Sequence, residues 1–229
     1  PRQDDFSLAP HTVAEVVEAE QPDVVFLCSP NNPTGTQDPP GLVEDTLAQV
    51  ESYGGLLLVD EAYGQFADQS AVSLIGESRS LVVSRTFSKT WALAGVRLGY
   101  LLGPAWCVSE LEKASLPYHL GALTQTAGLL ALDYQEEMDA RVDFLRSERQ
   151  RVFSVLKTLP VTVWPSDTNF ILFRPEEKEG RVVWQKLLDR SILIRDFSAE
   201  PGLAGCLRVT MGTSQENNQF LAALEEVLS

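Results

Sequence analysis

The sequence predicts an α/β protein, a mostly parallel sheet flanked by helices and followed by a smaller C-terminal α/β domain. Three observations predict it. Short, almost wholly apolar runs alternate with helical patterns over the first two-thirds of the chain, as strand-helix-strand units require. One crossover is complete, from VVFLC at 24–28 through a helix to LLLVD at 56–60. Beyond Pro160 the runs shorten and interleave with two further helical segments, which marks a smaller unit.

Composition supports a globular chain. Of 229 residues, 44% are hydrophobic and 22% charged, a balance that excludes disorder and collagen. Eighteen basic against 32 acidic residues give a net charge of −14, so a nucleic-acid partner is not expected. The longest apolar runs, such as 24–28 and 56–59, fall far short of the roughly 20 residues that span a membrane as a helix. Cys28, Cys107 and Cys206 are widely spaced and form no Cys-x-x-Cys pair. Reduced thiols in a cytoplasmic protein, with no metal site, are the expectation.

The elements follow in order. Strands are predicted at Val24–Cys28, Leu56–Asp60, Leu81–Ser84 and Leu98–Leu102, each apolar nearly throughout, as in strands covered on both faces. Pro39–Tyr53 reads as a Pro-opened helix with Leu42, Val43, Leu47 and Val50 on one face, closed by Gly54-Gly55. Helices are predicted at Pro104–Ala114, at Leu123–Tyr134 and, as one long charged helix, at Gln135–Leu156. The acidic start of that long helix (Glu136, Glu137) and its basic end (Arg149, Arg151, then Lys157) suit the helix dipole. The smaller unit has predicted strands at Val161–Trp164, Asn169–Phe173, Ile192–Arg195 and Leu207–Thr210, with helices at Gly180–Arg190 and Gln215–Leu228. The division is placed at 1–134 and 135–229.

Ligands of open α/β sheets gather beyond the carboxyl ends of the strands. Those ends deliver Ser-Pro-Asn-Asn-Pro-Thr-Gly at 29–35, Glu61-Ala62-Tyr63 after Asp60, and Thr86-Phe87-Ser88-Lys89. The Asn-Pro-Gly run alone reads as a turn. Asp60 ends an apolar strand, where a carboxylate is costly without a partner; it either caps the next stretch of backbone or meets a protonated heterocyclic nitrogen. A lone lysine is usually a surface residue, yet Thr86, Ser88 and Arg97 surround Lys89 in sequence with groups that bind a phosphate dianion. Lysine, phosphate cup and buried acid together suggest imine chemistry with a phosphorylated aldehyde.

The segments SPNNPTG, VDEAY and SRTFSKTWALAGVRLGYLLG resemble the class I and II pyridoxal-phosphate aminotransferases. The likeness continues through PSDTNFILFR and ILIRDFSAEPGLAGCLRVTMGTSQEN, and within the family is greatest to the histidinol-phosphate aminotransferases. The resemblance implies a fold type I architecture, pyridoxal 5'-phosphate as cofactor, a homodimer, and transfer of an amino group between histidinol phosphate and 2-oxoglutarate in histidine biosynthesis. It implies that Lys89 links covalently to the cofactor and moves the proton, and that Asp60 pairs with the pyridine nitrogen. Asn32 and Tyr63 would bond the phenolic oxygen, and Thr86, Ser88 and Arg97 the phosphate. Arg208 would clamp a substrate carboxylate or phosphate, with Arg195 and Asn169 as further substrate contacts. For Arg195 a surface ion pair, and for Asn169 a strand-entry role, are equal alternatives. Tyr118 and His119 lie in a stretch that resembles an active-site-facing segment, His119 reading as a loop histidine.

The family's chains begin with a glycine-containing phosphate-binding turn and a stacking aromatic that are not visible here, so Pro1 is expected to be an internal position. Two other activities use similar groups, those of an aromatic amino-acid aminotransferase and of a threonine-phosphate decarboxylase; outside catalysis, the alternative is the non-catalytic aminotransferase-like sensor domain of a regulator.

Overall fold

The computed structural model describes residues 2–229. They form two compact units, the first containing the described residues up to Asn31 with Gln37–Arg141, the second Asn32–Thr36 with Val142–Ser229. The division passes through one long helix.

The first unit is built on helix α1 (Pro10–Glu20), strand β1 (Val24–Cys28), helix α2 (Leu42–Ser52), and strands β2 (Leu56–Asp60), β3 (Leu81–Thr86) and β4 (Gly99–Leu102). Helices α3 (Ala105–Ala114), α4 (Ala122–Leu132) and the start of α5 (Gln135–Leu156) complete it. The sheet order is β1-β2-β3-β4, with the first two pairings parallel and β3-β4 antiparallel. Its register places Leu27, Leu57, Val59, Leu81 and Val83 on one face, where they form the core with Leu47 of α2 and Ala71.

The opposite face differs from the expectation of strands covered on both sides. Phe26 is 71% exposed and Leu101 43%, so β1 and β4 present apolar side chains outward at the sheet's edges. Helix α2 begins at Leu42 rather than at Pro39, because Gly41, at φ +86°, turns the chain into it. Helix α1 is an element the sequence pattern did not predict. It opens on Pro10 without a side-chain cap, and only Val17 is fully buried.

The second unit carries the rest of α5, strands β5 (Val161–Val163), β6 (Phe170–Pro175), β7 (Arg195–Asp196) and β8 (Leu207–Thr210), and helices α6 (Gly180–Leu188) and α7 (Ser214–Leu228). The sheet order is β5-β6-β8-β7, antiparallel throughout. Ile171, Phe173, Leu207 and Val209 face a core shared with Val152 and Leu156 of α5, Val183 and Leu187 of α6, and Phe220 and Leu224 of α7. A capping box opens α7, with Thr213 and Glu216 bonding reciprocally to each other's backbone.

Two expectations are corrected here. The strand expected at Ile192–Arg195 pairs with β8 only from Arg195 onward. Its earlier backbone groups are drawn to α6, since Ile192 N donates to Leu187 O (2.9 Å) and Trp184 Nε1 donates to Ile194 O (2.9 Å). In α5 no basic residue occupies the last turn. Arg151 instead pairs with Glu148 (2.7 Å), and Arg149 Nη1 donates to Thr168 O (2.7 Å).

Candidate active site

The predicted residues divide between the units: Asp60, Tyr63, Thr86, Ser88, Lys89 and Arg97 in the first, Asn32, Asn169, Arg195 and Arg208 in the second. In the first, parallel pairing aligns Cys28 with Asp60 and Asp60 with Ser84, so the carboxyl ends of three strands meet at one level. Asp60 Oδ1 accepts from Ala62 N (2.9 Å) and from the Ser84 hydroxyl (3.4 Å). Oδ1 thus caps the turn after β2. Ser84 carries no motif of its own in the sequence, and its place opposite Asp60 in the register is the signal that reveals it.

Lys89 is half-buried, with Nζ 5.2 Å from the centroid of the buried Tyr63 ring. That is cation–π distance. The turn carrying Lys89 is held at several points. Phe87 N donates to Leu98 O (3.0 Å), Leu93 N to Phe87 O (3.0 Å), and Ser88 N to Thr86 Oγ1 (3.0 Å). The Thr86 hydroxyl donates in turn to Leu98 O (3.3 Å), so it supports the turn as well as lying beside Ser88. Thr90, 2% exposed, donates to Gln65 Oε1 (2.7 Å), which ties the residue after Lys89 to the segment after Tyr63. Arg97 is exposed, has φ +57°, and donates to Ala94 O (2.9 Å); no hydrogen bond joins it to Thr86 or Ser88.

Glu61 and Arg85, within the VDEAY and SRTFSK segments, form a buried ion pair that the sequence reading did not foresee. Glu61, 3% exposed, accepts from Arg85 Nη2 (2.8 Å) and Nε (3.1 Å), from the Ser70 hydroxyl and from Ala71 N. Burial pulls the Arg85 pKa down, but the hydrogen bonds and charge of Glu61, with Tyr100, outweigh it and hold Arg85 above its ordinary value.

In the second unit, Arg208 Nη1 donates to Asn32 Oδ1. The Asn32–Thr36 segment is part of this unit because Asp167 N donates to Gly35 O (2.8 Å), and Gly35, at φ +82°, lies against Ser166 and Phe170. Arg195 and Arg208 face each other across the β7-β8 pairing. Asn169 is half-buried, and its carbonyl accepts from Met211 N (2.8 Å), which joins the entry of β6 to the exit of β8. Tyr118 is fully exposed at φ +57°, and His119 Nδ1 lies 3.0 Å from Leu116 O.

The family model for aminotransferase class I and II matches residues 2–224 of this chain. The chain belongs to that family. Histidinol-phosphate aminotransferases of Frankia casuarinae and Mycolicibacterium smegmatis are 41% and 43% identical to it over 100% and 99% of its length. The chain spans 57% and 58% of those two relatives. Among solved structures, histidinol-phosphate aminotransferase from Sinorhizobium meliloti in complex with pyridoxal-5'-phosphate is 27% identical, with a TM-score of 0.86 over 100% of this chain and 63% of that one. A putative aminotransferase from Burkholderia pseudomallei is 30% identical, with a TM-score of 0.84 over 100% of this chain and 67% of that one. These likenesses place the aminotransferase chain in the fold type I architecture.

Proposed function

We propose that this chain belongs to a transaminase that moves an amino group between histidinol phosphate and 2-oxoglutarate, giving imidazole acetol phosphate and glutamate. The observation that carries the chemistry is the half-buried Lys89 amine beside the Tyr63 ring, on the turn after β3, with the Asp60 carboxylate at the end of the neighbouring strand. The substrate rests on the names of the relatives at 41% and 43% identity.

The residues fit pyridoxal 5'-phosphate. Asp60, its Oδ1 already held, has Oδ2 for a ring N–H, and a carboxylate there keeps a pyridine nitrogen protonated. Tyr63 would offer a hydroxyl to the phenolic oxygen. Ser88 and Arg97, with Thr86, supply hydroxyl and guanidinium groups of the kind that bind a phosphate dianion. When bound, the cofactor supplies an electron sink and a carrier for the amino group. Lys89 would be the amine that holds it, and would hold or return the proton that leaves the substrate's α-carbon. Arg208 receives a substrate carboxylate in the bidentate geometry that a guanidinium matches and an ammonium does not. Arg195 contacts the second anionic group, and Asn169 borders the same substrate.

The same reading takes residues 1–134 as part of the large cofactor-binding domain and 135–229 as connecting helix and small domain. It makes the protein a cytoplasmic homodimer with no nucleic-acid partner. Helix α4 supports self-association, since it carries no charge and exposes Leu123, Leu129, Leu130 and Leu132. No helix among the described residues is long and apolar enough to cross a membrane.

A second reading, decarboxylation of a phosphorylated amino acid, is favoured by a likeness to L-threonine-O-3-phosphate decarboxylase from Porphyromonas gingivalis, at 25% identity and a TM-score of 0.79. Borohydride reduction of the protein with pyridoxal phosphate, followed by peptide mass mapping, tests the cofactor site: the expected adduct is on Lys89 alone. Product analysis with histidinol phosphate and with threonine phosphate then separates the two activities. Carbon dioxide from the second, with no transamination of the first, would overturn the leading assignment.

A further inference from the structure

The face of the small sheet that turns away from its core carries an unusual grouping. The β6-β8 and β7-β8 registers put Phe170, Arg208, Arg195 and Phe197 on this one face, because directly paired residues and alternate residues share a side. The Arg208 guanidinium carbon lies 4.4 Å from the Phe170 ring centroid and 5.2 Å from that of Phe197. Both distances are within cation–π range. Arg195, directly opposite Arg208, is 6.0 Å from the same Phe197 ring. Two like charges facing each other across an antiparallel pair repel, and a ring touching both is one physical compensation.

Both phenylalanines are held in place. Phe170 is 1% exposed, among the largest fully buried side chains, and Gly35 passes close enough that a β-carbon there would touch it. Phe197 is half-buried and fixed by its own backbone, its N donating to Cys206 O (3.0 Å) and its carbonyl accepting from Glu200 N (2.9 Å). Contact with the faces of a guanidinium leaves its in-plane N–H groups available for hydrogen bonding, and Asn32 already takes one such bond.

We infer that Phe170 and Phe197 are positioning residues that hold the Arg208 guanidinium in one orientation before substrate arrives, Phe197 also keeping Arg195 in register beside it. The inference rests on the proposed role of Arg208 as an anion site. Its energetic logic is preorganisation: an arginine already ordered loses less freedom when it captures a carboxylate.

The test uses the full-length protein loaded with pyridoxal phosphate, as wild type and as Phe197→Leu, Phe197→Tyr, Phe170→Leu and Arg208→Lys. Nitrogen NMR of the arginine guanidiniums reports rotation about the Cζ–Nε bond, and the signal lost in Arg208→Lys identifies Arg208. Phe197→Leu should speed that rotation several-fold and weaken 2-oxoglutarate binding by roughly tenfold, as loss of one cation–π contact implies. It should raise KM far more than it lowers kcat, and Phe197→Tyr should stay near wild type. Rotation unchanged in Phe197→Leu would overturn the clamp, as would faster rotation with unchanged affinity. Should buried Phe170→Leu fail to fold, the partly exposed Phe197 carries the test alone. Unchanged 2-oxoglutarate binding by Arg208→Lys would instead defeat the anion role of Arg208, while the rotation data still judge the clamp.

Discussion

Glu61 Oε2 accepts two hydrogen bonds from Arg85, from Nη2 at 2.8 Å and from Nε at 3.1 Å, immediately after the carboxylate of Asp60. The pair spans the ends of β2 and β3, and its side chains are only 2% and 17% exposed. The Ser70 hydroxyl joins them by donating to Glu61, so the start of the short turn at Ala71–Leu74 is tied to the same acid. The strand ends that bear Asp60 and Lys89 therefore rest on a charge pair, where apolar packing alone would give less directional control.

Removing one member of such a pair strands a buried charge. Arg85→Met should cost about 3–5 kcal/mol of stability, because Glu61 keeps its charge without its cation. The double variant Arg85→Met/Glu61→Gln should recover a large part of that loss. Urea unfolding of the four proteins closes the cycle. Simple additivity of the two single losses would show that the pair is not coupled.

Glu148 gives a pH dependence with a defined sign. Hydrogen bonds from Arg151, then from Asn217, lower its pKa from the ordinary 4.5 to about 2. A carboxyl depressed on folding adds stability that is complete above its unfolded pKa and is lost as pH falls through its folded one. Wild-type stability should therefore decline between about pH 4.5 and pH 2. Glu148→Gln should cost about 2 kcal/mol at pH 7, the worth of hydrogen bonds to a charged group. In urea unfolding at stepped pH, the gap between the two proteins should shrink toward zero at the acid end. A constant gap would contradict the assignment.

Much of the fold is legible in the sequence wherever a local rule acts alone. The apolar runs ending in Asp60 and before Lys89 form their strands because parallel interior strands need continuous hydrophobicity. The Ile192–Ile194 run obeys the same rule yet forms no strand, since Trp184 and Leu187 of α6 claim its backbone groups, a tertiary preference that no strand pattern encodes. Candidate site residues come from the strand-end rule and from resemblance. The contact of Ser84 with Asp60, the pairing of Glu61 with Arg85, and the rings around Arg208 do not, because their meaning lies in register and in contacts between distant segments. Exposed Phe26 illustrates a further limit. An apolar strand residue tells which faces are hydrophobic, but not which are covered.

Gly35 lies against Ser166 and Phe170 at the entry of β6. Its φ of +82° is costly for any residue with a β-carbon, and that carbon would collide with the Ser166 side chain. Gly35→Ala should destabilise the protein by about 1–3 kcal/mol. Adding Ser166→Gly should relieve the collision but not the backbone strain, so recovery should be partial. Thermal unfolding of the single and double variants checks this; full recovery would show that packing, not φ, fixes glycine at this position.

The proposed contact between Arg195 and a substrate phosphate separates phosphorylated from unphosphorylated substrates. Arg195 stands across from Arg208, with Phe197 against both, and its neighbour Asp196 is already paired with Arg181 at 2.8 Å. The adjacent acid is thus engaged by another arginine. If Arg195 meets the phosphate of histidinol phosphate, Arg195→Ala should raise KM for that substrate by about tenfold, or roughly 1.4 kcal/mol. The exposure of Arg195 keeps the effect below that of a fully desolvated pair. The KM for phenylalanine, which lacks the phosphate, should change little, and kcat should hold for both. Paired steady-state kinetics on the full-length enzyme give the answer. Equal increases for the two substrates would reduce Arg195 to a general electrostatic contributor and leave phosphate recognition to other groups.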